Sequence, residues 1–376
     1  MFPDQTNINT KEKIVSLQAL RALAFFGIFF SHALRPTMWA TLSVSVFFVL
    51  SGFLMFIRYS EKETTVSFKD NFRFALSKTG KMYPLHIITM VLALVMNIVL
   101  DIHNHVMNAE FGMDLVIRTL LDIPLLTAWA PDFGSLNGVA WYLSAMFFLY
   151  FMFPFFKNRI RDSKQGAAVI KVLFILVIQI ISYKIWIDIV GYGQVSGLER
   201  LTWFSYYFPV FRLGDFVTGC CLGKFCLKKY GKSKNEGSLP AGSPDLLVYS
   251  IAEAGLLVLS VFLVYYDFNT VLPPFISPGF NMTTVYIPFA AAWVYLFSVK
   301  KGLFTLFSSN RLLIHIGDLS PYLFLIHSVV TFYTDHLLKL LDIEPSGIVL
   351  MAVIFLEFAI TYVSTLIYKN KMQKAI

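Results

Sequence analysis

The sequence predicts an all-α protein: a polytopic bundle of about ten membrane-spanning helices with both termini cytoplasmic. Three observations predict it. Hydrophobic residues make up 57% of the 376 residues and charged residues only 14%, against about 25% charged in an ordinary soluble domain. Mean hydropathy is +0.66, and apolar runs of crossing length recur along the whole chain. The segments between those runs alternate in charge.

The runs fall at about 14–34, 40–58, 82–100, 137–156, 168–190, 203–226, 246–266, 283–299, 312–334 and 347–368. The stretch 115–130, interrupted by Arg118, Asp122 and Pro124, reads as an extra, partly inserted segment. With the N-terminus cytoplasmic, the inner segments hold groups such as Lys69, Arg73, Lys78 and Lys81, then Lys157, Arg159 and Arg161, then Lys369, Lys371 and Lys374. The opposite segments hold Asp101, Glu110, Asp114 and Asp132, later Glu199, Asp267, Asp342 and Glu344. Positive charge on alternate loops is the cytoplasmic signature. It accounts for the net charge of +8 without a nucleic-acid partner.

The first run reads as a retained signal anchor, because no small-residue cleavage site follows it and a second run starts at once. The chain reads as one integral-membrane domain, 1–376, with its core at 14–368 and no attached soluble domain. Lys228–Asp245, KKYGKSKNEGSLPAGSPD, has the composition of a flexible cytoplasmic linker. The outer stretch 101–137 is a candidate lid or substrate platform. Cys220, Cys221 and Cys226 have no metal-ligand spacing and read as buried fillers, and no metal site is expected.

Arg21 and His32 stand inside the first run. Intramembrane ionisable residues are costly and mark functional sites. Eleven residues at about 100° each return to within ~20° of the same helix face, ~16 Å further along the axis. The pair therefore suggests a cavity running partway through the membrane.

Further along, Ser51-Gly52 interrupts VFFVLSGFLMFIR, and Arg58 closes it. A packing notch and an arginine snorkelling to the interface explain both without function. Lys78 and Lys81 share a helix face. With Arg58 and Arg73 they form a basic cluster suited to the phosphates of a nucleotide-type molecule, although topology alone also asks for charge there.

Trp141 and Tyr142 fit an outer aromatic belt. Arg212 and Asp215, three apart, read as an internal ion pair. His327, deep in LSPYLFLIHSV, is either a packing partner or a site residue. Signatures of a P-loop, a nucleophile elbow and a zinc protease are missing from the sequence.

Taken together, Arg21-x10-His32, FFVLSGFL with Arg58, the Lys78/Lys81 pair before Tyr83-Pro84, WYLS at 141–144, FPVFRLGDFVTG and SPYLFLIH resemble the acyltransferase-3 family. That resemblance runs from about residue 14 to 368. It implies a bacterial inner-membrane O-acyltransferase, usually an O-acetyltransferase, of surface glycans such as O-antigen, capsule or exopolysaccharide, or of a lipid-linked sugar.

It implies His32 as the essential histidine, with Arg21 as its basic partner, and acetyl-CoA as cytoplasmic acyl donor. Arg58, Lys78 and Lys81, with Arg73 nearby, would hold the donor phosphates. Many members carry Arg-x-x-Arg where this chain has lysines, which keep the charge and lose bidentate geometry. Trp141, Arg212, Asp215 and His327 are secondary candidates. The competing reading is a transporter or flippase of glycan or acyl units using the same buried charges.

Overall fold

The computed structural model describes residues 10–34, 39–62, 66–104, 109–190, 200–232, 244–268 and 283–375. Among them there are helices and turns and no strand. In chain order the helices are α1 (Thr10–Ala33), α2 (Trp39–Tyr59), α3 (Phe68–Thr79), α4 (Tyr83–Asn104), α5 (Ala109–Asp122), α6 (Trp141–Arg161) and α7 (Gln165–Val190). They continue with α8 (Leu213–Lys232), α9 (Pro244–Phe268), α10 (Tyr286–Val299), α11 (Leu303–Ser308), α12 (Arg311–Leu340) and α13 (Gly347–Ala375).

Seven of these, α1, α2, α4, α7, α9, α12 and α13, are long and apolar enough to cross a membrane. Of the three other expected spans, 137–156 and 283–299 are largely helical, as α6 and α10, whereas 203–226 is α-helical only from Leu213, as α8, after a π-turn at Trp203–Tyr207 and a non-helical turn. α6 and α8 carry charges at their ends, and α10 has 14 residues.

Burial sorts the bundle into an interior and a rim. In α2, 78% of the apolar window is buried; in α7, α9 and α13 the share is 17%. Ile170, Phe174, Val258, Phe262 and Phe355 stand exposed on those rim helices. Helices apolar all round suit a lipid surround. α2 lies at the centre, against α8, α1 and α10, and α12 covers α1.

Close contacts fix the interior. A Cβ at Gly52 of α2 would collide with the Phe216 carbonyl of α8, and one at Gly219 of α8 with the Val49 carbonyl. Ser51-Gly52 is thus a genuine packing notch, where absent side chains let two backbones meet. A Cβ at Gly317 of α12 would strike the Gln18 backbone of α1. Ser16 of α1 donates to the Phe297 carbonyl of α10 at 2.6 Å.

The polar stretch before the third expected span contains a helix of its own, α3. Ser67 caps it by accepting the Asp70 N–H at 3.1 Å. Phe68, Phe72 and Leu76 are exposed along it, as on a helix lying at a membrane surface. The linker expected at 228–245 is shorter at both ends, since α8 continues to Lys232 and α9 begins at Pro244. Its middle, 233–243, lies outside the described residues. Cys220, Cys221 and Cys226 are all buried.

Candidate functional site

α1 carries the site along its length. Arg21 lies in the wall of a cavity of about 340 Å³, with Lys78, Lys81, Asp318, Tyr142 and Tyr150 among its neighbours. Five other elements therefore converge on α1: α2 through Ser51, α3 through Lys78, the turn opening α4 through Lys81, α6 through the two tyrosines, and α12 through Asp318. Three cations and one carboxylate line a mostly apolar chamber, which makes it attractive to an anion.

Local chemistry shapes that chamber. Pro321 stands inside α12 and lines the cavity. A proline has no N–H for the carbonyl four residues back, which is Gly317. The Ser320 hydroxyl donates to that carbonyl at 2.8 Å instead. Gly317 is also the residue that lets α12 touch α1 at Gln18. Gln18 is one turn from Arg21, so this contact brings Asp318 within electrostatic reach of the guanidinium. Sequence reasoning missed Asp318 and Tyr150; only the pairing of α12 with α1 reveals the carboxylate's role.

The basic residues expected to act together divide. Lys78 donates to the Tyr59 hydroxyl at 2.6 Å and sits over the Tyr59 and Phe74 rings, 4.4 and 4.8 Å from their centroids. Arg58 approaches the same Tyr59 ring, at 5.8 Å, yet does not line the cavity. Arg73 is exposed on α3 and stands apart from the wall.

At the other end of α1, His32 meets His327 of α12. His32 Nδ1 and His327 Nε2 are 2.9 Å apart. The rings are nearly coplanar, 7° apart, with centroids at 5.1 Å; that distance fits an in-plane N–H···N bond between ring edges. His327 Nδ1 faces the Leu323 carbonyl at 3.2 Å. A carbonyl only accepts, so this nitrogen carries the hydrogen and Nε2 is the bare acceptor in the neutral ring. His32 Nδ1 is then the donor, and His32 Nε2 keeps its lone pair.

The pair is walled by Phe25 and Phe29, 5.7 and 6.2 Å from the His327 ring. Ser31 holds the turn nearby: its hydroxyl donates to the Gly27 carbonyl at 2.7 Å and accepts the Ala40 N–H at 2.9 Å.

His32 and His327 do not line the cavity; Phe324 stands between. It lines the chamber, packs 5.2 Å from Tyr142 and 6.2 Å from Phe47, and lies 5.9 Å from the His327 ring. Phe47, Tyr142 and Phe324 make an aromatic septum between chamber and histidines.

Trp141 and Tyr142 differ from the belt expectation. Trp141 is 7% exposed and packs against Phe48, Tyr206 and Tyr207. A belt residue and an interior residue at a helix end have the same composition; only packing separates them. Arg212 and Asp215 do pair, both fully buried, with Nη1 and Oδ2 3.5 Å apart. The Arg212 Nε donates to the Tyr206 carbonyl at 2.7 Å, and the guanidinium lies 5.0 Å from the Phe48 ring centroid. That pair braces α8 behind Trp141 and touches neither the chamber nor the histidines. Among the described residues no three His, Cys, Asp or Glu side chains gather as a metal site.

A family described as an acyltransferase domain matches residues 14–369. A curated relative, the acyltransferase MdmB of Streptomyces mycarofaciens, is 28% identical over 167 residues, which is 40% of this chain and 40% of that protein. This chain therefore matches less than half of that relative's length. No solved structure matches the chain. The family match covers nearly every residue from the first helix to the last, including both ends of the α1 site, and on that extent the chain belongs to the acyltransferase-3 family.

Proposed function

We propose that this protein is a multi-pass enzyme of a bacterial inner membrane that moves an acyl group, acetyl in the first instance, from cytoplasmic acyl-CoA to a hydroxyl of an extracytoplasmic glycan. The observation carrying the reading is that one helix holds a cationic chamber at Arg21 and a hydrogen-bonded histidine pair at His32, some eleven residues apart.

Arg21, Lys78 and Lys81 bind the donor's phosphates through charge-assisted hydrogen bonds. Asp318 shares the chamber wall with Arg21 and keeps the chamber from being purely cationic. The thioester arm extends past the Phe47–Tyr142–Phe324 septum towards His32. Its Nε2 accepts the proton of the acceptor hydroxyl, the oxygen attacks the thioester carbonyl, and the carbon–sulfur bond breaks. The thiolate leaves and takes the proton from His32. His327 holds the His32 ring through Nδ1–H, as a positioning residue. A positioned general base contributes about 10²–10⁴-fold.

Labelled acetyl-CoA given to the purified protein in lipid, with a glycan acceptor, tests the reading. Label should move to the glycan, and His32→Ala should abolish the transfer while leaving the protein in the membrane. Wild-type transfer by His32→Ala would sink the assignment. Movement of unmodified glycan across vesicles, with no label transferred, would favour a transporter.

A further inference from the structure

A second cavity, of about 530 Å³, opens at the histidine end of the bundle. The loop 130–138, the start of α6 and one turn of π-helix at Trp203–Tyr207 enclose it. π-turns are rare and frequently sit at functional sites.

The cleft is built in advance. Trp203 Nε1–H donates to the Ala128 carbonyl at 3.0 Å, so its indole plane is fixed. The Ser135 hydroxyl donates to Thr127 Oγ1 at 2.9 Å, and the Leu136 N–H donates to the buried Asp122 carboxylate at 2.8 Å. Asp132 reaches across the mouth to Arg200, Oδ1 to Nε 3.1 Å.

The lining combines flat aromatic faces, from Phe133, Trp141, Trp203 and Tyr207, with the Asp132 carboxylate and the hydroxyls of Thr127 and Thr202. Aromatic planes match the C–H faces of a pyranose ring, and a carboxylate with hydroxyls matches its O–H groups. A purely apolar ligand would desolvate the Asp132–Arg200 pair and the threonine hydroxyls without giving them new hydrogen bonds, and a polyanion would find no cation among the lining residues.

Position supports the same occupant. Asn137 donates to the Leu325 carbonyl at 3.0 Å, and a Cβ at Gly138 would approach the Ser328 hydroxyl at 3.8 Å. The cleft floor therefore rests on the turn of α12 that carries His327. Trp141 faces this cleft while Tyr142, its neighbour, faces the inner chamber. One wall, Asn137–Leu143, separates the two spaces.

The geometry points to this cleft as the acceptor subsite, taking a neutral saccharide ring whose hydroxyl is presented to His32. It rests on the acyl-transfer reading and adds where the acceptor sits. Gly134 and Gly138 provide the test. Both line the cleft, neither has a left-handed φ, and an added Cβ meets nothing within 4 Å at Gly134 and only the ordinary Ser328 contact at Gly138.

Full-length Gly134→Leu, Gly138→Leu and Asp132→Ala in lipid nanodiscs are assayed with labelled acetyl-CoA and a polysaccharide extract of the cell that carries the protein. Acetyl-CoA binding is measured separately by equilibrium dialysis. The leucine plugs should raise the KM for polysaccharide about tenfold or more, and Asp132→Ala about threefold to tenfold with kcat kept. Acetyl-CoA binding should stay at the wild-type level in all three, which also reports an intact fold. A wild-type polysaccharide KM in both plugged variants would overturn the subsite and leave acyl transfer standing. A wild-type protein that neither binds acetyl-CoA nor transfers label would overturn acyl transfer itself, and the subsite with it.

Discussion

Replacing His327 by leucine removes the atom that holds the His32 ring. In the native pair His327 Nε2 accepts from His32 Nδ1 at 2.9 Å, and His327 is fully buried. Water cannot substitute readily, so His32 Nδ1–H loses a buried partner, at a cost of about 1–3 kcal/mol. If the loss falls on the transition state, kcat drops roughly 5–150-fold, at about 1.4 kcal/mol per tenfold.

Glutamine separates positioning from other roles. Its side-chain oxygen can accept the same hydrogen, so His327→Gln should stay within about threefold of wild type if the partner only orients His32. The assay is acetyl transfer from labelled acetyl-CoA, measured as kcat across pH, with donor binding as a control. A leucine variant with wild-type kcat at every pH would refute the reasoning. Equal losses in leucine and glutamine would refute orientation and indicate that His327 exchanges the proton itself.

Lys78→Gln with Lys81→Gln should raise the KM for acetyl-CoA roughly tenfold, equivalent to about 1.4 kcal/mol, and weaken its dependence on salt, read from initial rates at several ionic strengths. Phe324→Ala removes one of three septum rings beside His327. It should increase acceptor-independent hydrolysis of the donor, measured as free thiol released without glycan. Gly52→Val forces a side chain into the Phe216 carbonyl. Overpacking costs about 1–3 kcal/mol, so the protein should melt at lower temperature in detergent, whereas Gly112→Ala, which meets nothing within 4 Å, should not.

Much of this arrangement is legible in the sequence because membranes penalise polarity. Arg21, His32 and His327 stand out in apolar runs that need no charge. Lys78 and Lys81 do meet at the chamber, but from the end of α3 and from the turn after it, not from the single helix face that periodicity predicts. What periodicity does not reveal is which helices meet. Asp318 becomes a chamber residue only because Gly317 admits the α1 backbone. Arg58 and Arg73 look equivalent to Lys78 in sequence, yet the packing of α3 on α6 turns Lys78 inwards and leaves Arg73 outside. Trp141 reads as an interface anchor until the π-turn at Trp203–Tyr207 closes over it.

α1 is pinned by contacts that leave no slack: Gln18 beneath Gly317, Ser16 bonded to Phe297, and Gly27 against Ser43. It works as a fixed ruler. Held in this way, α1 keeps Arg21 and His32 in fixed register with Lys78, Lys81 and His327, so under the proposed reading a donor anchored at Arg21 would present its reactive carbon at one depth. Acyl length is then read by overshoot. The thioester carbon lies equally far from the phosphates in every acyl donor, so a longer acyl tail projects beyond His32 and must find room there, and selection among donors becomes a matter of the space past a stationary rod.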